Sequence, residues 1–251
     1  GPVTGRGPRG SHRRLGEPKD NWRSMSASGL FIAFEGGEGA GKSTQASILH
    51  DALQREGYCT TLLREPGSTN LGDYLREYLI GEQPVTSLAE LLLFEASRAQ
   101  LMTERIEPLL NDGAVVIADR FAGSTVAYQG YGRKIDLERI QWLNDYATGG
   151  RYPDLTILLD VDPQVGLGRV NSRQLQLPLL IADTGDRFED EEIAFHNAVR
   201  QGFRDQEVRS ATWCSVEGNH SIDDVAAAVW SRVCPLLADR VIAKLAEAEK
   251  G

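Results

Sequence analysis

The stretch FIAFEGGEGAGKSTQASILHDAL, residues 31–53, admits few folds. A short apolar run stops at a glycine-rich turn, and Lys-Ser-Thr then opens a helix-like pattern. Gly36, Gly37, Glu38, Gly39, Ala40, Gly41, Lys42 and Ser43 match the phosphate-loop pattern G-x-x-x-x-G-K-[ST]. Glycines let such a backbone curl until successive N–H groups point at phosphate oxygens. The lysine can bridge the β and γ phosphates, the serine hydroxyl can reach Mg²⁺, and the helix start offers its positive end to the anion. The flanks agree. Residues 30–35 read as a buried strand, and 43–56 as a helix with Ile48, Leu49, Ala52 and Leu53 near helical spacing and Gly57 as its stop. The alternative is a glycine-rich β-to-α turn without a ligand.

The rest of the chain alternates strand and helix. Residues 60–64 form a second strand that runs into Arg64-Glu65-Pro66-Gly67-Ser68-Thr69, where proline and glycine force a turn. Leu71, Leu75 and Leu79 recur at steps of four along the next helix. Residues 87–110 read as one long helix, on which Phe94 and Arg98 share a face. That pair has two readings: a core ring with a solvated charge, or a ring lying on a planar ligand while the guanidinium binds its polar edge. A third strand, 114–118, ends in Asp119-Arg120, and a fourth, 155–159, is nearly all apolar, as a strand covered on both faces must be. Asp136 is read as the cap of a helix to about 146, and Pro163 opens the next. Residues 174–185 break the periodicity. A helix over 193–204, a fifth strand at 212–216 and a final helix capped by Ser221, with Val225, Val229, Val233 and Leu237 as its buried stripe, complete the pattern. The expectation is an α/β fold: a three-layer, doubly wound parallel sheet of about five strands.

Charge narrows the partners. Of 27 basic and 36 acidic residues, six and two lie in the first 24 positions, which leaves 21 against 34 and a net charge of −13 on the rest. An acidic body argues against a nucleic-acid or membrane partner, but not against a small phosphorylated ligand held by local arginines. Three widely spaced cysteines point to free thiols in a reducing compartment, hence a cytoplasmic setting. Residues 1–28 hold Gly, Pro, Ser and Arg without periodicity and are expected to be an irregular arm. Its opening Gly-Pro matches the scar left when a protease removes an added tag, Met25 is a candidate start, and residues 29–251 are taken as one domain.

A guanine-reading N-K-x-D segment is absent, and the arginines gather at strand ends and over 169–187, where a flap would cover a bound triphosphate. That pattern suits phosphoryl transfer between two bound nucleotides, from which water must be excluded.

GGEGAGKST, REPGST, LLLFEASRAQ, ADRFAGSTVAYQGYGR, PDLTILLDVDPQVGLGR and DRFE, in this order over about residues 30–217, resemble the motifs of the bacterial thymidylate kinases (dTMP kinases). The resemblance implies a P-loop kinase fold with a lid at about 169–188, and transfer of a phosphoryl group from ATP to dTMP with Mg²⁺ as cofactor. It implies ATP-binding by residues 36–44, through Thr44, with lid residues Arg169 and Arg173. Arg173 is the first choice for the arginine that reaches the moving phosphoryl group, beside Lys42, Arg120 and Glu38 as catalytic residues. For dTMP it implies Phe94 stacked on thymine, Arg98 at the base edge, Thr125 and Gln129 near the base, Tyr128 near the deoxyribose, and Arg64, Arg120 and Glu38 around phosphate and sugar. Ser43 and, through water, Asp119 would serve the metal. The Glu65–Pro66 bond is often cis in this family, and the family is usually a homodimer packed through helices, here those at 87–110 and 136–146. Ser68 replaces the second glycine of the family's turn, Asn171 stands where many members have arginine, and the apolar insertion 175–181 is longer than usual. A kinase for another pyrimidine monophosphate, and a nucleotide-binding homologue without catalysis, remain as alternatives.

Overall fold

The computed structural model describes residues 29–81, 84–176 and 193–248. The expected arm at 1–28 and the lid positions 177–188, Arg187 among them, lie outside the described residues, as does the side chain of Arg173. Five strands, β1 (Leu30–Glu35), β2 (Thr60–Arg64), β3 (Val115–Asp119), β4 (Leu155–Asp160) and β5 (Trp213–Glu217), form one parallel sheet in the order β2-β3-β1-β4-β5. The chain leaves β1, builds β2 and then β3 on one side, and crosses to β4 and β5 on the other. The order therefore reverses at β1, and the crevice of an open α/β sheet lies beyond the carboxyl ends of the strands at that reversal. The glycine-rich loop occupies it.

Alternation along β1 divides the core. Leu30, Ile32 and Phe34 face α1 (Lys42–Arg55) and α9 (Ile222–Ala248), meeting Ala46, Leu49 and Leu53 from one and Val225, Val229, Val233 and Leu237 from the other. Phe31 and Ala33 point to the opposite face, onto Leu101, Met102, Ile106 and Leu110. All six residues of β1 are buried, as the apolar run requires. No helix of the described residues is long and apolar enough to cross a membrane.

The helix starts follow the capping residues. Thr69 accepts from Gly72 N (2.9 Å) to open α2 (Asn70–Ile80), and Thr86 from Ala89 N (3.3 Å) to open α3 (Ser87–Leu101). Asp136 accepts from Arg139 N (3.0 Å) at the start of α6 (Leu137–Thr148), and Ser221 from Asp224 N (3.2 Å) at α9.

Three details of the helices go beyond the sequence pattern. The single helix over 87–110 is α3, one widened turn at Met102–Ile106, and α4 (Glu107–Asn111); the wide turn sits ahead of Pro108, whose ring lacks the N–H a regular helix needs. Of the leucines at steps of four, Leu79 is buried and Leu71 is 43% exposed. Gly72 packs tightly on the backbone of Gly67, where a Cβ would lie 2.8 Å from the Gly67 oxygen, and this rotates Leu71 outward. Finally α7 (Pro163–Gln176) runs through 174–176, since neither glycine nor proline falls between Gly168 and Pro178.

α7 touches the phosphate loop backbone to backbone. A Cβ on Gly39 would lie 2.0 Å from the Gly166 oxygen, and one on Gly166 would lie 2.1 Å from the Glu38 oxygen. Gly166→Ala must therefore push the helix off the loop. It is expected to cost about 1–3 kcal/mol, which lowers the midpoint of a calorimetric melt by roughly 2–10 °C. A Cβ on Gly168 meets nothing within 4 Å, so Gly168→Ala in the same melt is expected to be neutral or stabilising.

Candidate active site

The phosphate loop hangs from the end of β1. Gly36, Gly39 and Gly41 have φ of +145°, +63° and +91°, a range in which side chains are strained, so the curl needs these glycines. Lys42 Nζ donates to Gly37 O at 2.7 Å, which carries the ammonium across the mouth of the loop. Burial and the neighbouring Arg120 lower the Lys42 pKa to about 8, despite Glu38, Asp119 and Glu35 nearby. Ser43 Oγ donates to Asp119 Oδ2 at 2.5 Å, so the first turn of α1 meets the end of β3. Ser43 and Asp119 border one cleft with Lys42, Thr44, Arg64 and Arg120. Their hard oxygen donors, set among cations suited to phosphate, fit Mg²⁺.

Arg120 is the crossing point of the site. Its φ is +71°, a left-handed conformation unusual outside glycine, and its own N–H donates to Phe34 O at 3.0 Å. The guanidinium pairs with Glu38 Oε1 (2.6 Å) and donates to Gly36 O (3.4 Å), Ser124 Oγ (3.2 Å) and the Tyr128 hydroxyl (3.2 Å). Tyr128 in turn donates to Glu38 Oε1. Burial raises the Glu38 carboxyl, but the Arg120 and Lys42 charges and these bonds outweigh it and lower the pKa to about 2.

Beyond Glu38 opens a cleft bordered by Phe94, Arg98, Arg120, Thr125, Tyr128 and Gln129. All the residues expected around a planar base thus meet in one place. Arg98 is no surface charge: it is 1% exposed. Its Nε lies 2.8 Å from Glu65 Oε1, Nη1 donates to Glu95 Oε1 (2.8 Å) and Asn144 Oδ1 (2.7 Å), and Nη2 donates to Thr125 Oγ1 (2.8 Å). Burial raises the Glu65 pKa to about 7 against the pull of Arg98. Gln129 donates to Glu90 (2.8 Å), and Phe94 is half-buried at the wall. The Glu65–Pro66 bond is cis. Ser68 keeps a left-handed φ of +64°, and its Oγ accepts from Arg64 N at 2.8 Å, a bond that offsets part of the roughly 1–2 kcal/mol such a backbone costs a residue with a Cβ.

On the other side of the loop a third cleft is bordered by Gly39, Thr44, Arg169, Gly218 and His220. Arg169 donates to Gly218 O (3.1 Å) and Gly39 O (3.4 Å), bridging the phosphate loop to the turn before α9. Two features escaped the sequence reading. Arg76 borders both the base cleft and the phosphate cleft; it lies four residues after Gly72 and three before Leu79, a spacing that puts the three on one face of α2. Arg200 and Arg204, on α8 (Ile193–Arg209), clamp Asp160 at 2.7 and 2.6 Å, and no local pattern announced that.

Such a fold, with a phosphate loop between two clefts, defines a phosphate-loop nucleotide-binding protein of the kinase type. A family model described as thymidylate kinase matches residues 34–229. Thymidylate kinases from Synechococcus sp. (strain JA-3-3Ab) and Solidesulfovibrio magneticus are 46% and 44% identical over 211 residues, 83% of this chain and 97% and 100% of theirs. The crystal structure of thymidylate kinase from Ehrlichia chaffeensis superposes with a TM-score of 0.66 at 33% identity, covering 82% of this chain and 98% of that one. The chain belongs to the thymidylate kinase family.

Glu38 generates a pH prediction. Its folded pKa lies below the ordinary value of 4.5, so its stabilisation is present above pH 4.5 and is lost as pH falls towards about 2. In urea titrations the advantage of wild type over Glu38→Gln should be largest above pH 5, up to about 3 kcal/mol, and should shrink steadily below pH 4.5.

Proposed function

We propose that the chain transfers the γ-phosphoryl group of ATP to dTMP, giving ADP and dTDP, in a cytoplasmic setting. The observation that carries this is the single crevice in which the phosphate loop and the Phe94/Arg98 cleft meet across Arg120 and Glu38. An acceptor phosphate oxygen is already nucleophilic, so the work is positioning and charge neutralisation. On this reading Arg120, Arg64 and Arg76 hold the acceptor phosphate, while Lys42 and the loop N–H groups hold the donor phosphates. Phe94 lies on the base, Arg98, Thr125 and Gln129 line its edge, and Tyr128 packs against the sugar. Ser43 and, through water, Asp119 would hold Mg²⁺, which when bound would neutralise phosphate charge. Arg169 serves the donor base side, because its guanidinium is directed at Gly218 and Gly39. That leaves Arg173, one turn further along α7, as the arginine for the moving phosphoryl group.

The test is ADP release from ATP and Mg²⁺ with and without dTMP. Turnover should depend on dTMP, fall on the order of 10²–10³-fold in Lys42→Ala, and fall about 10²-fold or more in Arg173→Ala. Turnover with no dTMP dependence in a protein that binds ATP overturns the reading.

The reading includes a homodimer. α2, α3 and α6 present Tyr74, Tyr78, Leu88, Leu92, Trp142 and Tyr146 to solvent, and Trp142 and Tyr146 stack at 5.6 Å. Exposed apolar side chains on adjoining helices suit an interface. Light scattering should give twice the chain mass for wild type and the single-chain mass for Trp142→Glu.

A further inference from the structure

Arg98 carries more restraint than charge balance requires. A guanidinium has five N–H donors. Three are donated in hydrogen bonds, both N–H of Nη1 to Glu95 and Asn144 and one of Nη2 to Thr125, while Nε sits in an ion pair 2.8 Å from Glu65 Oε1. The partners sit on four separate elements: the turn after β2, α3, α5 (Ala122–Thr125) and α6. Among the described residues one N–H, on Nη2, has no partner. Glu65 alone would neutralise the guanidinium, and burying a second carboxylate beside it is costly. The bonds from Glu95 and Asn144 are therefore directional in purpose. Neither residue borders the base cleft, whereas Arg98 does.

We propose that Glu95 and Asn144 are positioning residues that select the acceptor base, by pinning Nη1 so that Arg98 offers the cleft a single fixed donor. One fixed N–H matches a carbonyl oxygen on the pyrimidine edge. Against an amino group at that position it sets donor to donor, and a buried polar group left unpaired is penalised heavily. A guanidinium released at Nη1 can turn its plane and relieve that opposition. Base discrimination therefore depends on two side chains that never touch the base. The inference rests on the acceptor reading above, with Arg98 beside the base.

The test is steady-state kinetics with dTMP and with dCMP, which carries an amino group where thymine has a carbonyl, on wild type, Glu95→Ala, Glu95→Gln and Asn144→Ala. In each alanine variant KM for dTMP should rise about tenfold, with kcat and the KM for ATP within about twofold, and the dTMP:dCMP ratio of kcat/KM should fall about tenfold. Glu95→Gln keeps an acceptor oxygen for Nη1 and should restore the ratio to within about threefold of wild type. An unchanged ratio in both alanine variants overturns the proposal, as does an equal loss for ATP and dTMP. Should an alanine variant fail to fold in a thermal melt, Glu95→Asp and Asn144→Ser, which stay polar but shorten the reach, carry the same comparison. A wild type inactive with dTMP overturns the acceptor reading itself, which separates that failure from this one.

Discussion

Arg120 and Glu38 hold the two halves of the site in one frame. Glu38 belongs to the phosphate loop, Arg120 to the end of β3, and their 2.6 Å pair is closed by the Tyr128 hydroxyl. Two more bonds from Arg120, to Gly36 O and Ser124 Oγ, tie the same guanidinium to the start of the loop and to α5. A charge-assisted network of this kind, largely removed from water, is stronger than its exposed equivalent and stays fixed only while every member is present. The left-handed backbone of Arg120 is the local cost of placing one side chain between two clefts.

Behind that frame the backbone does the spacing. α7 rests against the phosphate loop through Gly39 and Gly166, with no side chain between them. α8 is anchored twice. Arg200 and Arg204 grip Asp160 at the end of β4, and Phe195 lies edge-on to Tyr128 at 6.2 Å, with the Arg133 guanidinium 4.6 Å from its ring centre. The helices before and after residues 177–192 thus meet different parts of the site: α7 meets the donor loop, and α8 meets the segment that carries Tyr128 and Gln129. A displacement of α8 cannot leave Tyr128 untouched.

Charge is distributed with the same division. In the phosphate-loop cleft Lys42, Arg64, Arg76 and Arg120 outnumber Glu38, Glu65 and Asp119, and Lys42 is held below the usual lysine range by burial and by Arg120. Around Arg98 two carboxyls, Glu65 and Glu95, both pushed up in pKa by burial, face one guanidinium. The first environment suits a polyanion. The second suits a neutral ring with a polar edge, since its guanidinium is buried and held on several sides.

Local chemistry determined a great deal from the sequence alone. The glycine-rich loop between an apolar run and a helix pattern, the strand ends at Asp119-Arg120 and the caps at Asp136 and Ser221 depend on neighbours a few residues away, and each stands where its residues put it. Spacing also placed Phe94 and Arg98 on one face, but it could not say whether that face met solvent or a cleft. Only the tertiary structure decided that, because the partners that bury Arg98 come from the turn after β2, α5 and α6. Leu71 went outward and Arg76 inward for a similar reason: the packing of Gly72 on Gly67 sets the rotation of α2, and no periodicity within the helix encodes it. Arg169 acquired its direction from Gly218, in a turn that adjoins it only once β4 and β5 are paired. Short-range hydrogen bonding and apolar period are written in adjacent residues, whereas the orientation of a charged side chain depends on the distant groups the fold brings to it.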